Sequence, residues 1–320
     1  MKKVIEVFKN GGSYVLLPHI NCDGDAVGSC LALREIVMFF GGEAIIVVEE
    51  SVPHNLSFLG GEFVQLSDIS SNKVFDCAVA VDCGDLGRLG TRSEMFKCAK
   101  TTICIDHHGT NKGNFAEYEY IDGKAAATAE IIFEIAEIAN VPIKGDIAKY
   151  LYTGIVTDTG GFRYSNTTEK TMLVATKLKG AGVDSAAICD ELFENKRMAQ
   201  IKIEAAAING ASFYYGGSVI ISIITEKMLK DAGAQYSDAD AVSSILRSIE
   251  GVFVAAVIKE QDGKVKISMR SKNGIDVSGI CSELGGGGHK SASGAELYES
   301  TEKSKEIVLS LIAKRLGTIL

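Results

Sequence analysis

The 320-residue chain has no tryptophan, only three prolines, and eight cysteines that form no C-x-x-C pair. Scattered cysteines of this kind predict neither a zinc site nor a disulfide framework, and they are typical of small buried thiols in a reducing compartment. No apolar run approaches the length of about 20 residues that a membrane-spanning helix needs. The segment after Met1 is amphipathic, unlike a signal peptide. We therefore expect a cytoplasmic protein that has no membrane partner.

Basic residues are also scarce. Lysine and arginine number 33 against 41 aspartates and glutamates, which gives a net charge of −8. This balance argues against a protein that coats DNA or a membrane surface, although a small local phosphate site remains compatible with it. The hydrophobic fraction of 46% is ample for ordinary cores, and the length favours two domains.

Apolar strands alternate with helices over the first part of the chain. Continuous apolar strands, which are typical of buried parallel sheets, are predicted at 14–17, 44–48, 76–81 and 101–105. Helices are predicted at 26–40, 124–139, 146–156 and 168–179. In the second of these, Ile131, Ile132, Ile135 and Ile138 are expected to face the core. The alternation predicts a parallel sheet with right-handed crossovers.

A second α/β pattern follows the point where this periodicity loosens. Strands are predicted at 218–224, 252–258 and 264–270, with a turn at 261–263, and helices at 196–208, 240–249, 276–284 and 301–316. The fold class is therefore α/β with two domains. We expect a parallel-sheet domain over 1–190, a helical linker over 191–212, and a smaller domain with a mixed sheet over 213–320.

Acids and imidazoles follow three of the predicted strands. His19, Asp82 and the run Asp106-His107-His108 each come directly after an apolar strand. Because sites in open parallel sheets lie outside the carboxyl ends of the strands, these side chains are expected to meet at one edge. Helix capping is the alternative role for each acid, and it would suit one of Asp23 and Asp25.

The charge of the expected cluster predicts metal ions. Its members are four acids and two imidazoles, namely Asp23, Asp25, Asp82, Asp158, His19 and His107. Four carboxylates in one pocket would favour protonation of some unless cations are present, and two divalent ions would balance them. Mixed carboxylate and imidazole ligands favour Mn²⁺, and paired ions are typical of phosphate-ester hydrolysis. We expect Asp82 to bridge the ions. Thr128 is either a polar contact or simply a residue that begins a helix, and the second role is favoured.

A glycine run near the C-terminal end predicts a phosphate-binding loop. Four glycines precede His289 and Lys290, so that backbone N–H groups could approach a phosphate closely and the two side chains could add donors. A flexible linker is the alternative. Arg163 and Arg270 are further phosphate-binding candidates, and solvated surface charges are the equally weighted alternative for either one.

The motifs together resemble the DHH phosphoesterase family. His19-x-x-x-Asp23-x-Asp25, Asp82, Asp106-His107-His108 and Asp158 are similar to its four motifs, in its order. Gly286-Gly287-Gly288-His289-x-x-Ala292-x-Gly294 resembles the signature of the DHHA1 domain. The two-domain length is similar to NrnA-type proteins, which act as oligoribonucleases and as phosphatases of 3′-phosphoadenosine-5′-phosphate (pAp).

The resemblance implies particular residue roles. His19, Asp23 and Asp82 would hold one Mn²⁺, and Asp25, Asp82, His107 and Asp158 would hold the other. Asp106 and His108 would be catalytic, with His108 beside the metals. The substrate-binding set would be Arg163, Arg270, Gly286, Gly287, Gly288, His289 and Lys290.

Short RNAs and pAp are the expected partners, and a homodimer is compatible with this organisation. Two alternative functions remain open. One is a soluble phosphodiesterase of cyclic dinucleotides or their linear products, such as c-di-AMP, pApA or pGpG. The other is a non-catalytic nucleotide-binding sensor.

Overall fold

The structure is a computed structural model that describes residues 1–70, 72–261 and 263–316. The chain divides into two compact units, Met1–Asn195 and a second unit that begins at Lys196. Asp262, in the predicted turn at 261–263, lies outside the described residues. So do residues 317–320 at the end of the predicted second domain. The predicted domain limits remain predictions.

Parallel strands alternate with helices in the first unit. Its elements are Lys2–Lys9 (α1), Ser13–Pro18 (β1), Gly24–Phe39 (α2), Glu43–Val48 (β2), Phe63–Gln65 (β3), Cys77–Val81 (β4), Ser93–Lys97 (α3), Thr101–Asp106 (β5), Tyr118–Ile121 (β6), Thr128–Ala139 (α4), Asp146–Asp158 (α5), Glu169–Gly180 (α6) and Ser185–Cys189 (α7). The sheet has the order β3-β2-β1-β4-β5-β6, and every pairing in it is parallel. The predicted parallel α/β architecture is confirmed.

Both faces of this sheet are covered, which explains its continuous apolar strands. Leu16, Val79 and Ile103 pack in a core with residues of α2, α4 and α5. On the opposite face, Leu17 and Ala80 pack in a smaller core. Alternate residues of a strand point to opposite faces, so burial on both sides requires apolar residues at every position.

The second unit contains a mixed sheet, as predicted. Its elements are Met198–Asn209 (α8), Ser212–Tyr214 (β7), Val219–Ile224 (β8), Glu226–Ala232 (α9), Val242–Ser248 (α10), Val254–Gln261 (β9), Lys264–Ser271 (β10), Ser278–Glu283 (α11), Gly287–His289 (β11), Ala292–Leu297 (β12) and Thr301–Leu316 (α12). The strand order is β11-β12-β10-β9-β8-β7, with β8 and β9 parallel and the other pairings antiparallel. Ile203 and Ala207 of α8 pack in a core of this unit.

Helix α4 departs from its prediction in its start and in the burial of one residue, but it ends at Ala139 as predicted. It begins at Thr128, four residues after the predicted start at 124. Ile131, Ile132 and Ile135 are fully buried, but Ile138 in the last turn is 54% exposed, so its predicted burial is wrong.

No helix within the described ranges combines the length and apolar composition needed to cross a membrane.

Candidate metal centre

Three adjacent strands of the first sheet bring polar residues to one edge. Pro18 of β1 pairs with Val81 of β4, and Val81 pairs with Ile105 of β5. The residues that follow these three positions are His19, Asp82 and Asp106. Because the strands are parallel, these residues all lie at the carboxyl edge of the sheet, where sites in such folds occur.

Asp82 contacts predicted ligands on two sides, His19 on one and His107 on the other. Its backbone has a positive φ of 57°, and its N–H donates to the Ile105 carbonyl over 2.9 Å. Asp82 Oδ2 is 3.6 Å from His19 Nε2, whereas Oδ1 is 3.6 Å from His107 Nε2. Its two oxygens therefore face different imidazoles, an arrangement that suits a carboxylate bridging two ions.

The first group consists of His19, Asp23 and Asp82, and one ligand atom from each lies within 4.8 Å of the others. Asp23 also caps helix α2, because its Oδ1 accepts from the backbone N–H groups of Asp25 and Ala26 at 3.1 Å. Desolvation raises the pKa of Asp23, but the hydrogen bond and charge of His19 lower it by a larger amount. The net pKa of Asp23 is therefore below the ordinary value. Asp23 thus serves as a helix cap and also lies in the cluster.

The tautomer of His19 decides whether it can bind a cation. His19 Nδ1 is 2.7 Å from the Ile20 carbonyl oxygen and 3.0 Å from Arg88 Nη2. Nδ1 can donate to the carbonyl or accept from the guanidinium, but it cannot do both. A cation at Nε2 requires the proton on Nδ1, so the contact with Ile20 is the one compatible with metal binding.

The second group consists of Asp25, His107 and Asp158, whose ligand atoms also lie within 4.8 Å of one another. His107 Nε2 is 3.2 Å from Asp158 Oδ2 and 3.9 Å from Asp25 Oδ2. His107 Nδ1 is 3.2 Å from the Ala125 carbonyl oxygen, which fits a proton on Nδ1. That tautomer directs the Nε2 lone pair towards the carboxylates.

The start of helix α4 holds Asp25 in place. The N–H groups of Thr128 and Ala129 donate to Asp25 Oδ2 and Oδ1 over 2.6 and 2.9 Å. Gly154 of α5 leaves room for the carboxylate, since a Cβ there would lie 2.7 Å from Asp25 Oδ1. A fully buried carboxylate therefore receives a helix N-terminus as its partner.

The donor set fits divalent cations. Burial and the neighbouring carboxylates of Asp82, Asp158 and Asp23 raise the pKa of Asp25 well above its ordinary value. Burial chiefly raises the pKa of Asp158 to about 7, and Asp23 and Asp82 add to this. Ligand atoms of one ion lie about 3.0–3.4 Å from one another, and the 3.2 Å between His107 Nε2 and Asp158 Oδ2 falls within this range. Bound cations would relieve the repulsion between the carboxylates, and they would fit between ligand atoms at these separations.

Asp106 and His108 form a pair beside the two groups. His108 Nδ1 is 2.7 Å from Asp106 Oδ1 and 3.6 Å from Asp82 Oδ1. Burial lowers the pKa of His108, but the hydrogen bond to Asp106 and the charge of Asp82 outweigh it and raise the pKa to about 9. The carboxylate thus fixes the proton on Nδ1 and orients the ring.

Thr128 has a role that the sequence analysis did not favour. It begins helix α4, but its hydroxyl also donates to Asp82 Oδ1 over 2.8 Å. We expect Thr128→Val to weaken Mn²⁺ binding about tenfold, because the variant keeps the side-chain shape and removes a hydrogen bond that orients a predicted ligand. A calorimetric Mn²⁺ titration measures this. Thr128→Ser retains the hydroxyl and should bind as the wild type does, whereas unchanged affinity in Thr128→Val would contradict the assigned role.

The predicted substrate-binding residues fall in both units. Arg163 lies in the turn after α5, is exposed, and donates through Nε to the Gly160 carbonyl. The other candidates lie in the second unit. Arg270 pairs with Ala292 across β10 and β12, and Ala292 pairs with His289 across β12 and β11. Because paired residues point to the same face, Arg270 and His289 share one face of the second sheet, separated by a small side chain.

The glycine run forms part of this sheet as well as a turn. The N–H of Gly286 donates to the Cys281 carbonyl over 2.8 Å at the end of α11, so it is already paired. Gly287–His289 is the edge strand β11, and Lys290 follows it. A Cβ at Gly286 would lie 2.1 Å from the Gly294 carbonyl oxygen, and one at Gly288 would lie 2.7 Å from that of Ala292. These two glycines permit close packing against β12.

Comparisons with known proteins place a family match in each unit. The family model described as the N-terminal domain of the DHH family matches residues 13–155, and that of the DHHA1 domain matches residues 216–317. A Thermus thermophilus protein named bifunctional oligoribonuclease and PAP phosphatase NrnA is 33% identical over 99% of this chain and 94% of its own length. A Bacillus subtilis protein of the same name is 26% identical over 91% of each chain.

A solved structure shares the fold. The crystal structure of an exopolyphosphatase-related protein from Bacteroides fragilis matches with a TM-score of 0.88 and 21% identity. The match covers 99% of this chain and 98% of that one. At this identity the likeness concerns the fold alone.

Proposed function

The chain belongs to the DHH phosphoesterase family, and from this premise we propose that it is a Mn²⁺-dependent enzyme that hydrolyses short oligoribonucleotides and pAp. The relatives from Thermus thermophilus and Bacillus subtilis carry names for these two activities. The observation that carries the proposal is the position of Asp82, whose two oxygens face the imidazoles of two separate ligand groups.

The ligand groups would hold two cations. His19, Asp23 and Asp82 would bind one, and Asp25, Asp82, His107 and Asp158 would bind the other; the distances between their atoms support this division. When bound, divalent cations supply Lewis acidity that stabilises charge on a reacting phosphate and makes water more acidic. The mixture of oxygen and nitrogen donors favours Mn²⁺.

The side chains of the centre would handle the proton. Asp106 accepts from His108 Nδ1, which fixes the imidazole and makes Nε2 the atom that contacts substrate. From this position His108 would donate a proton to the oxygen that leaves phosphorus. In the second unit, His289 and Arg270 share a face of the sheet and would contribute donors to phosphate binding.

A product time course with Mn²⁺ tests the proposed function. The substrates are pAp, a linear diadenylate and a cyclic dinucleotide, each at the same concentration. We expect AMP from pAp and mononucleotides from the linear dinucleotide. Fast opening of the cyclic substrate with slow pAp turnover would favour the cyclic-dinucleotide phosphodiesterase. Binding of all three without any product would indicate a nucleotide sensor.

Substrate length provides a further prediction. Affinity for long nucleic acid comes mainly from many phosphate contacts and from stacking platforms. A net charge of −8 favours few phosphate contacts, and a chain without tryptophan offers few stacking platforms. We expect fastest turnover on RNAs of two to four nucleotides and a rate at least about tenfold lower on a 24-nucleotide strand. Rates measured at one salt concentration check this, and equal or faster cleavage of the long strand would contradict it.

A further inference from the structure

The two oxygens of the Asp106 carboxylate have different partners. Oδ1 lies 2.7 Å from His108 Nδ1, whereas Oδ2 accepts from Asn111 Nδ2, also over 2.7 Å. Asp106 is fully buried at the end of β5. A buried carboxylate with both oxygens hydrogen-bonded is fixed in its plane, and so is the histidine that it orients.

Asn111 is itself fixed by several contacts. Its Oδ1 accepts from the Gly113 N–H over 2.8 Å, and its own N–H donates to the His108 carbonyl over 3.0 Å. Because the backbone N–H of Gly113 can only donate, the atom that it meets must be Oδ1. The other end of the amide, Nδ2, therefore faces Asp106 and also lies 3.3 Å from the Cys83 carbonyl oxygen.

We propose that Asn111 is a positioning residue for proton delivery by His108. The inference rests on the proposed function. In pAp hydrolysis, a bond forms from phosphorus to the water oxygen and the bond from phosphorus to O3′ breaks. O3′ keeps the electron pair and takes the proton from His108 Nε2, and the water proton passes to solvent. Without Asn111, Asp106 Oδ2 loses its donor, the carboxylate can rotate, and the His108 ring no longer points at O3′.

A purely local role in the loop is the competing explanation. The bond from the Gly113 N–H to Asn111 Oδ1 closes a turn of the kind that asparagine often stabilises without any catalytic role. Asn111→Asp separates the two roles. An ionised aspartate keeps the oxygen that accepts from Gly113 and has no proton to donate to Asp106. Asn114→Asp is the matched control, because Asn114 lies in the same loop, is exposed, and donates to the Lys112 carbonyl.

The test compares two leaving groups in the Mn²⁺-loaded enzyme. The substrates are pAp and its 3′-thio analogue, in which sulfur replaces O3′. Thiols ionise near pH 8.5, far below alcohols, so a thiolate leaves without a proton. Because general acids contribute about 10²- to 10⁴-fold, we expect Asn111→Asp to lower kcat on pAp at least about tenfold and on the analogue less than about threefold. KM, Mn²⁺ content and the circular dichroism spectrum should match those of Asn114→Asp.

The outcomes separate this inference from the proposed function. Equal losses on both substrates, or loss of Mn²⁺, would overturn the positioning role. Asn111→Ser is the second variant if Asn111→Asp does not fold, because its short hydroxyl cannot reach Asp106, and it should show the same dependence on leaving group. A wild-type enzyme that does not hydrolyse pAp would refute the proposed function instead.

Discussion

Asp82→Asn is expected to lower kcat/KM on pAp by more than about 1,000-fold and to reduce bound Mn²⁺. The substitution keeps the shape of the side chain but removes the negative charge that the two groups of ligands share. Metal ions contribute several kcal/mol to transition-state stabilisation, and each 1.36 kcal/mol corresponds to a factor of ten in rate. Metal analysis of the purified variant, together with pAp kinetics at saturating Mn²⁺, measures both effects.

Asp122→Asn is the matched control for this experiment. Asp122 follows the end of β6 at the same edge of the same sheet, but its carboxylate accepts from the N–H of Lys124. Its variant should keep wild-type metal content and rate. If Asp82→Asn retained full Mn²⁺ content, the bridging role would be wrong even if activity were lost.

The central strands of the first sheet were predictable because their environment leaves a strong pattern in the sequence. Strands β1 and β4 have one face in each core, and successive residues 103–105 of β5 are fully buried, so each strand is an apolar run that ends where polar residues begin. The parallel direction of these strands follows from their alternation with helices, and parallel strands place their carboxyl ends at one edge. His19, Asp82 and His107 could be named for that reason, whereas Asp158 lies at the end of helix α5.

The edge strands were not predicted, because their environment leaves little pattern. Phe63–Gln65 and Tyr118–Ile121 are short, and every residue in them is half-buried. Each pairs with the strand that precedes it in the chain, β2 or β5, and nothing in so short a segment indicates that pairing. The predicted burial of Ile138 failed for a related reason. Helical periodicity gives the face that a residue occupies but not the point where neighbouring elements stop covering it.

Contacts between distant residues account for the parts of the centre that the sequence analysis missed. Thr128 lies 46 residues from Asp82, so this contact does not appear as a local motif. Asn111 lies 5 residues from Asp106, but the sequence does not show that the loop folds back to place the amide against the carboxylate. The start of α4 is set in the same way, because its first N–H groups bond to Asp25 from another helix. The glycine run illustrates a further limit, since its pairing as β11 depends on a strand that follows it.

His289→Ala is expected to raise KM for pAp strongly while leaving bound Mn²⁺ unchanged. His289 is exposed at the end of β11, on the same face as Arg270, where it would donate to a substrate phosphate. A hydrogen bond to a charged group contributes about 1.5–3 kcal/mol, which corresponds to a decrease in kcat/KM of about 10- to 150-fold. Steady-state kinetics on pAp and metal analysis of the same preparation measure the two quantities.

His54→Ala is the matched control, because His54 is exposed in the first unit and has not been assigned to the metal or substrate sites. It should behave as the wild type in both measurements. Loss of Mn²⁺ in His289→Ala would place His289 among the metal ligands rather than the substrate contacts. A lower kcat with unchanged KM would instead mean that His289 acts in the transition state and contributes nothing to ground-state binding, because uniform binding changes KM alone.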